Sequence, residues 1–290
     1  MVRKVLIILI TIIVADACAS TNVERILDDV ESYIMECPDS ALSVLDSIDR
    51  SLLRTDRAKA HHALLHTMAL DKNYIDVVDD SLALIAVNYY SWRGPQKYKA
   101  RAYYYLGLAY YYRKDYRRAI VEFSKAEKVA EKCDSLYWGM TKSVQAHAYQ
   151  ATHNSTESLN CLLKACEIYT GISDFYKANS VKSKLVTVYS GLLRFEEAEN
   201  LLIELLNTDG LNENTRRNAL VSYAYLNVVR PENDIEMAIE LYEQAMENSI
   251  KMLIQDYWAY AFALNVVGRK EESRRLVDDL LKIDTTKTAS

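Results

Sequence analysis

One spaced pattern recurs along most of this chain and narrows what it can fold into. A small residue is followed four places later by a large apolar one, and three places after that by a small or apolar one. The copies read Ala41/Leu45/Ile48, Ala119/Phe123/Ala126, Ser158/Leu162/Ala165, Ala198/Leu202/Leu205, Ala238/Tyr242/Ala245 and Ser273/Val277/Leu280, with a weaker one at Leu82/Ala86/Tyr89. Offsets of four and seven place all three residues on one face of an α-helix. Successive copies are 41, 37, 39, 40, 40 and 35 residues apart, which leaves room for one pair of helices per copy. A small side chain at the same place in each copy lets a second helix come close. A lone helical pair cannot bury its apolar face, but stacked neighbours can, so the pattern requires an array.

Composition removes the competing classes. Seven Gly and three Pro in 290 residues are too few for a fold with many tight turns, whether β-sandwich or Gly-cornered α/β enzyme. Tyr occurs 22 times against 4 Phe and 3 Trp; its ring supplies packing area and its hydroxyl tolerates water, which suits a thin fold with its core near the surface. The net charge is −5 and no basic stripe is present, so nucleic acid is not an expected partner.

The clearest unit, residues 97–131, contains Tyr103-x-x-Leu106-Gly107-x-x-Tyr110 and then Ala119-x-x-x-Phe123-x-x-Ala126. This resembles the tetratricopeptide repeat signature, with Tyr103 in the place of the usual Trp and no closing Pro. The physical reading is independent of the resemblance: Gly107 and Ala119 allow two helices to approach, and Tyr103, Leu106, Tyr110, Phe123 and Ala126 fill the space around the contact. The expected fold is all-α, an α-solenoid of about seven antiparallel hairpins. They are read at 23–50, 57–92, 97–131, 137–169, 174–207, 213–248 and 250–283, with residues 284–290 a polar, frayed tail. The resemblance implies a right-handed superhelix. Pro38-Asp39-Ser40 and Asp79-Asp80-Ser81 read as helix starts. Gly268 and the stretch Pro231 to Asp234 read as turns.

The first seventeen residues read as an export signal. Arg3 and Lys4 precede an apolar run from Val5 to Val14, too short for a stable membrane helix, and Ala15-Asp16-Ala17 gives the small-x-small pattern of a cleavage site. Cys18 follows at once, and the segment resembles a bacterial lipobox. That resemblance implies lipidation of Cys18 and a membrane anchor, with residues 18–22 a linker; simple cleavage after Ala17 is the alternative. Glu36 to Ile48 and Ala69 to Asp76 resemble the envelope tetratricopeptide proteins of Bacteroidota, which implies a periplasmic or outer-membrane-anchored lipoprotein. Cys37, Cys133, Cys161 and Cys166 have neither metal-site nor disulfide-framework spacing and are expected as small core residues.

No phosphate loop, nucleophile elbow or H-E-x-x-H motif occurs. His62 and His66 share a helix face, but Ala63, Leu64 and Leu65 between them supply no third ligand, and solvated or half-buried histidines are expected. No catalytic residue, metal or cofactor is expected. In tetratricopeptide proteins the inner face of the first helices commonly forms a groove. Carried onto this chain, the resemblance selects Arg101, Tyr104, Leu108 and Tyr111, then Ser143, His147 and Gln150, and finally Trp258, Phe262 and Asn265. Packing of Tyr104 and Trp258 between repeats stays open at this point. The expected function is a non-catalytic scaffold that presents this groove to a protein or peptide partner. A sensory portion lacking its output domain and a carbohydrate-binding lipoprotein are the alternatives.

Overall fold

The computed structural model describes residues 22–246 and 254–287, so the export signal and Cys18 lie outside the described residues. Two compact units, Met1–Asn154 and Ser155–Ser290, divide the chain. Among the described residues every regular element is helical, as expected, and no helix is long and apolar enough to cross a membrane. The first unit begins with α1 (residues 22–33), followed by α2 (Pro38–Ser47) and a 3-10 turn at Arg50–Leu52. It continues with α3 (Asp56–Lys72), α4 (Ser81–Tyr90), α5 (Gln96–Tyr112), α6 (Tyr116–Ala130) and α7 (Ser135–Ala151). The second unit contains α8 (Ser155–Gly171), α9 (Phe175–Gly191), α10 (Phe195–Leu206), α11 (Glu213–Val229), α12 (Ile235–Met246), α13 (Ile254–Val266) and α14 (Lys270–Lys287).

Sequence neighbours pack as helical pairs: α3 on α4, α5 on α6, α9 on α10, α11 on α12 and α13 on α14. First helices also touch one another, α3 with α5, α5 with α7, α9 with α11 and α11 with α13. The small residues of the repeated pattern lie in the buried interior. Ala41, Ala119, Ser158, Ala198 and Ala238 are all fully buried, and Leu45, Phe123, Leu162, Leu202 and Tyr242 beside them are buried as well. A Cβ on Gly107 would lie 2.6 Å from the Phe123 ring, which is why α5 carries no side chain there. Ser273 and Val277, in the last copy, are only half-buried.

Side-chain caps start many of the helices. Thr55, Asp115, Asp134, Asp174 and Asn212 each accept a hydrogen bond from the amide three residues on, at the starts of α3, α6, α7, α9 and α11. α2 begins at Pro38 and α4 at Ser81, whose amide donates to Asp79 at 3.0 Å.

The helix ends share one device. A residue with positive φ follows α3 (Tyr74), α5 (Lys114), α7 (His153), α8 (Ser173), α9 (Leu193) and α13 (Gly268). In each case the next amide reaches back to a carbonyl of the last turn; Asp115 to Tyr110 and Arg194 to Tyr189, both at 2.9 Å, are examples. Five of these six positions are not glycine, so the sequence offered a turn signal only at Gly268.

Two expectations are corrected. α14 runs on to Lys287, so residues 284–287 belong to a helix and not to a frayed tail. Cys37 and Cys133 are exposed, Cys166 is half-buried and only Cys161 is buried; all four are free thiols. Exposed positions on the outer turn of a thin helical layer are common, and a small residue there reports no burial.

Candidate functional site

In the first unit the expected inner face of α5 is closed. Tyr104 is 3% exposed and Leu108 5%. The Tyr104 ring stands edge-on to Tyr105 and Tyr137, at 5.0 and 5.4 Å between centroids, and lies 6.1 Å from Phe123. Behind it the Tyr105 and Tyr137 hydroxyls share a 2.9 Å hydrogen bond, and Tyr137 also reaches the Met68 sulfur. Tyr104 therefore packs between α5, α6 and α7, and with Leu108 it is corrected from groove surface to core. Large aromatic rings on adjacent helices fill the gap that smaller ones would leave open.

Arg101 is committed to a polar network. Its guanidinium lies 4.7 Å over the Tyr137 ring and pairs with Asp134 at 3.0 Å and Glu31 at 3.3 Å. Glu31 of α1 further accepts from Lys97 at 3.1 Å and from the Tyr98 hydroxyl, and the His61 ring stands 3.5 Å away. Burial alone would raise the Glu31 carboxyl, but His61, Tyr98 and Lys97 together outweigh it and hold it at about 2. The network ties α1, α3, α5 and α7 together and uses its own charges internally. Tyr111 is half-buried, its ring 5.8 Å from Tyr112 and 5.6 Å from Tyr116. On α7, Ser143 is buried, His147 half-buried and Gln150 exposed.

His62 and His66 are held by contacts within the first unit. His62 is buried with its Nε2 3.0 Å from the Leu45 carbonyl, and burial lowers its ring pKa. His66 pairs with Asp46 at 2.8 Å. Among the described residues no group of three His, Cys, Asp or Glu is placed to hold a metal ion.

The second unit differs. Trp258 is 50% exposed and Phe262 55%, and Asn265 is exposed beside them. A separate cleft of about 520 Å³ lies among α9, α11 and α13. Val186, Thr187 and Ser190 form one wall, Ser222, Tyr225 and Val229 another, and Leu193, Phe195 and Asp256 close it. Tyr225 and Val229 leave 45% and 41% of their surface to solvent. Apolar side chains flanked by the hydroxyls of Thr187, Ser190 and Ser222 give the chemistry of a site for an extended, amide-bearing ligand. Of the residues that line this cleft, none was singled out from the sequence. Their common register shows only in the structure: Thr187 lies six residues before the left-handed Leu193, as Phe262 lies six before Gly268 and Leu108 six before Lys114.

A second hollow, among α8, α9 and α10, is lined by Leu163, Cys166, Leu201 and Glu204. Its charges are matched, with Lys182 and Glu204 paired at 2.7 Å.

Comparison with known proteins places this geometry. No protein-family model matches the chain, and no curated protein matches it in sequence. Solved structures do match. The apo quorum sensor NprR of B. thuringiensis superposes with a TM-score of 0.70 at 13% identity, over 89% of this chain and 75% of that one. NprR in complex with its cognate peptide NprX gives 0.61 at 13% identity, over 89% and 77%. The TPR-like repeats of a kinesin light chain from Podosopora anserina give 0.55 at 16% identity, over 68% and 100%. At such identities the likeness is one of fold: this chain has the fold of tetratricopeptide-like helical repeat proteins.

Proposed function

We propose that this chain is a non-catalytic binding scaffold of the bacterial cell envelope that holds an extended peptide or protein segment in the cleft among α9, α11 and α13. The half-exposed pair Tyr225 and Val229 on one wall of that cleft carries the reading. Apolar surface in a concave site is the usual anchor for a partner's side chains, and neighbouring hydroxyls satisfy its backbone. A fold shared with a protein solved in complex with a peptide supports the same reading.

The test is titration of the protein against a library of unstructured peptides by fluorescence polarisation. Tyr225→Ala and Val229→Asp should weaken every hit at least tenfold, and Tyr176→Ala, an exposed ring outside the cleft, should not. Hits that bind both cleft variants as tightly as the parent would remove the assignment. The envelope part rests on the signal anatomy of residues 1–18 and is tested separately. Cells labelled with a fatty acid should incorporate it into the parent chain but not into a Cys18→Ser variant, which should leave the membrane fraction.

A further inference from the structure

Trp92 is 89% exposed on a turn whose backbone is fixed. The turn joins α4 to α5, and the Trp92 and Arg93 amides donate to the Tyr89 carbonyl at 3.3 and 3.1 Å. Gly94 closes it at φ +82, and a Cβ there would lie 3.0 Å from the Tyr90 ring. Among the described residues no hydrogen bond, ion pair or ring contact holds the Trp92 indole. The ring contributes nothing to the core of the first unit.

Its turn lies at the same edge as the start of α1. Arg57 of α3 pairs with Glu24 of α1 at 4.0 Å. Four residues on, the His61 ring stands 3.9 Å from Asp28 of α1 and 5.2 Å between centroids from Tyr98 of α5. α1, α3 and α5 therefore run in one direction with their starts level, and Gly94, four before Tyr98, is level with Arg57 and Glu24. Only four residues separate Cys18 from Asn22 at the start of α1, a reach of at most about 14 Å. A lipid on Cys18 would hold this edge, with Trp92 on it, close to the bilayer surface. The other exposed ring of the unit, Tyr74 at 96%, follows α3 and lies at the opposite edge, about 25 Å further along that helix.

Charge separates the two edges in the same sense. The turns before α3 and α5 expose Arg50, Arg54 and Arg93 against the single anion Asp49, and Glu131 and Lys132 before α7 cancel. The loop that carries Tyr74 exposes Asp76 and Asp79. Lipid phosphates attract the first set and repel the second. Tryptophan is enriched where bilayer meets water, because its ring is apolar and its N–H still finds a polar partner.

We infer that Trp92 is an interfacial membrane contact that seats the starting edge of the first unit on the bilayer holding the Cys18 lipid. This rests on the lipid anchor proposed above and is independent of the Tyr225 cleft.

Quenching by brominated lipid tests it. The protein is purified from the membrane fraction, checked for its fatty-acid label, and reconstituted into phosphatidylethanolamine and phosphatidylglycerol vesicles with or without bromine on the acyl chains. The parent should lose tryptophan emission in the brominated vesicles, and Trp92→Phe should reduce the quenched part by about half or more. That difference isolates Trp92 from Trp138 and Trp258. Adding Tyr74→Trp to the Trp92→Phe chain should restore emission without restoring the quenched part. Quenching that is unchanged by Trp92→Phe, or regained with a tryptophan at position 74, overturns the inference and leaves the anchor standing. A change in Trp92 emission in native membranes but not in protein-free vesicles assigns the ring to a protein partner and overturns it equally. Absence of the fatty-acid label removes the anchor and this inference together.

Discussion

The Phe123 ring occupies the space that a Cβ on Gly107 would need: the added carbon would lie 2.6 Å from both Cδ1 and Cε1 of that ring. Phe123 is itself fully buried and flanked by Tyr104 at 6.1 Å, so it has nowhere to retreat. Gly107→Ala should therefore destabilise the protein by about 1–3 kcal/mol, although alanine is the better helix former by about 1 kcal/mol. Urea unfolding measures it. The double variant Gly107→Ala/Phe123→Leu should recover part of the loss, and an unchanged midpoint in the single variant would contradict the close contact.

Tyr104 and Trp258 hold the same repeat position and should respond differently to truncation. Tyr104→Ala opens a cavity among α5, α6 and α7 and should cost about 3–5 kcal/mol, in the range for buried aromatic residues. Trp258→Ala removes a side chain that is half in water and should cost less than about 1 kcal/mol in dilute solution. Equal losses would mean that the two positions share one environment.

Acid should weaken the first unit through Glu31. Its carboxyl is held at about 2 in the folded chain, below the ordinary 4.5, so the ionised form favours folding. That contribution is complete above about pH 4.5 and disappears as the pH falls toward 2. After allowance for partial solvent screening it amounts to about 1–2 kcal/mol. Glu31→Gln should lower stability near pH 6, and the gap to the parent should narrow below about pH 4.5 and close as the pH approaches 2. A gap of constant size across that range would show that the charge is not what matters.

Lys114 adopts φ +64 after α5 and is exposed. A non-glycine residue pays about 1–2 kcal/mol in that conformation. Lys114→Gly should raise stability by about 0.5–1 kcal/mol, read as a shift in thermal midpoint, since no buried contact is lost. A fall in the midpoint would mean that the Lys114 side chain does more than its exposure suggests.

The amino-acid sequence by itself determined most of the helical pairs, α3 with α4, α5 with α6, α9 with α10, α11 with α12 and α13 with α14. Ala41, Ala119, Ser158, Ala198 and Ala238 could be placed in the interior from spacing alone, because residues four and seven apart share one helix face. Capping by Asp115, Asp134 and Asp174 is likewise local chemistry. Tertiary structure decided which inner positions stay exposed. Tyr104 and Trp258 have the same register and similar chemistry, yet one is sealed by Tyr137 from the following helix and the other is open. Nothing within reach of either residue along the chain distinguishes them. The exposure of Cys37 and Cys133 and the commitment of Arg101 to Glu31 and Asp134 were hidden for the same reason. Spacing reports which face of a helix a residue shares, but burial is the product of what the neighbouring elements bring to that face.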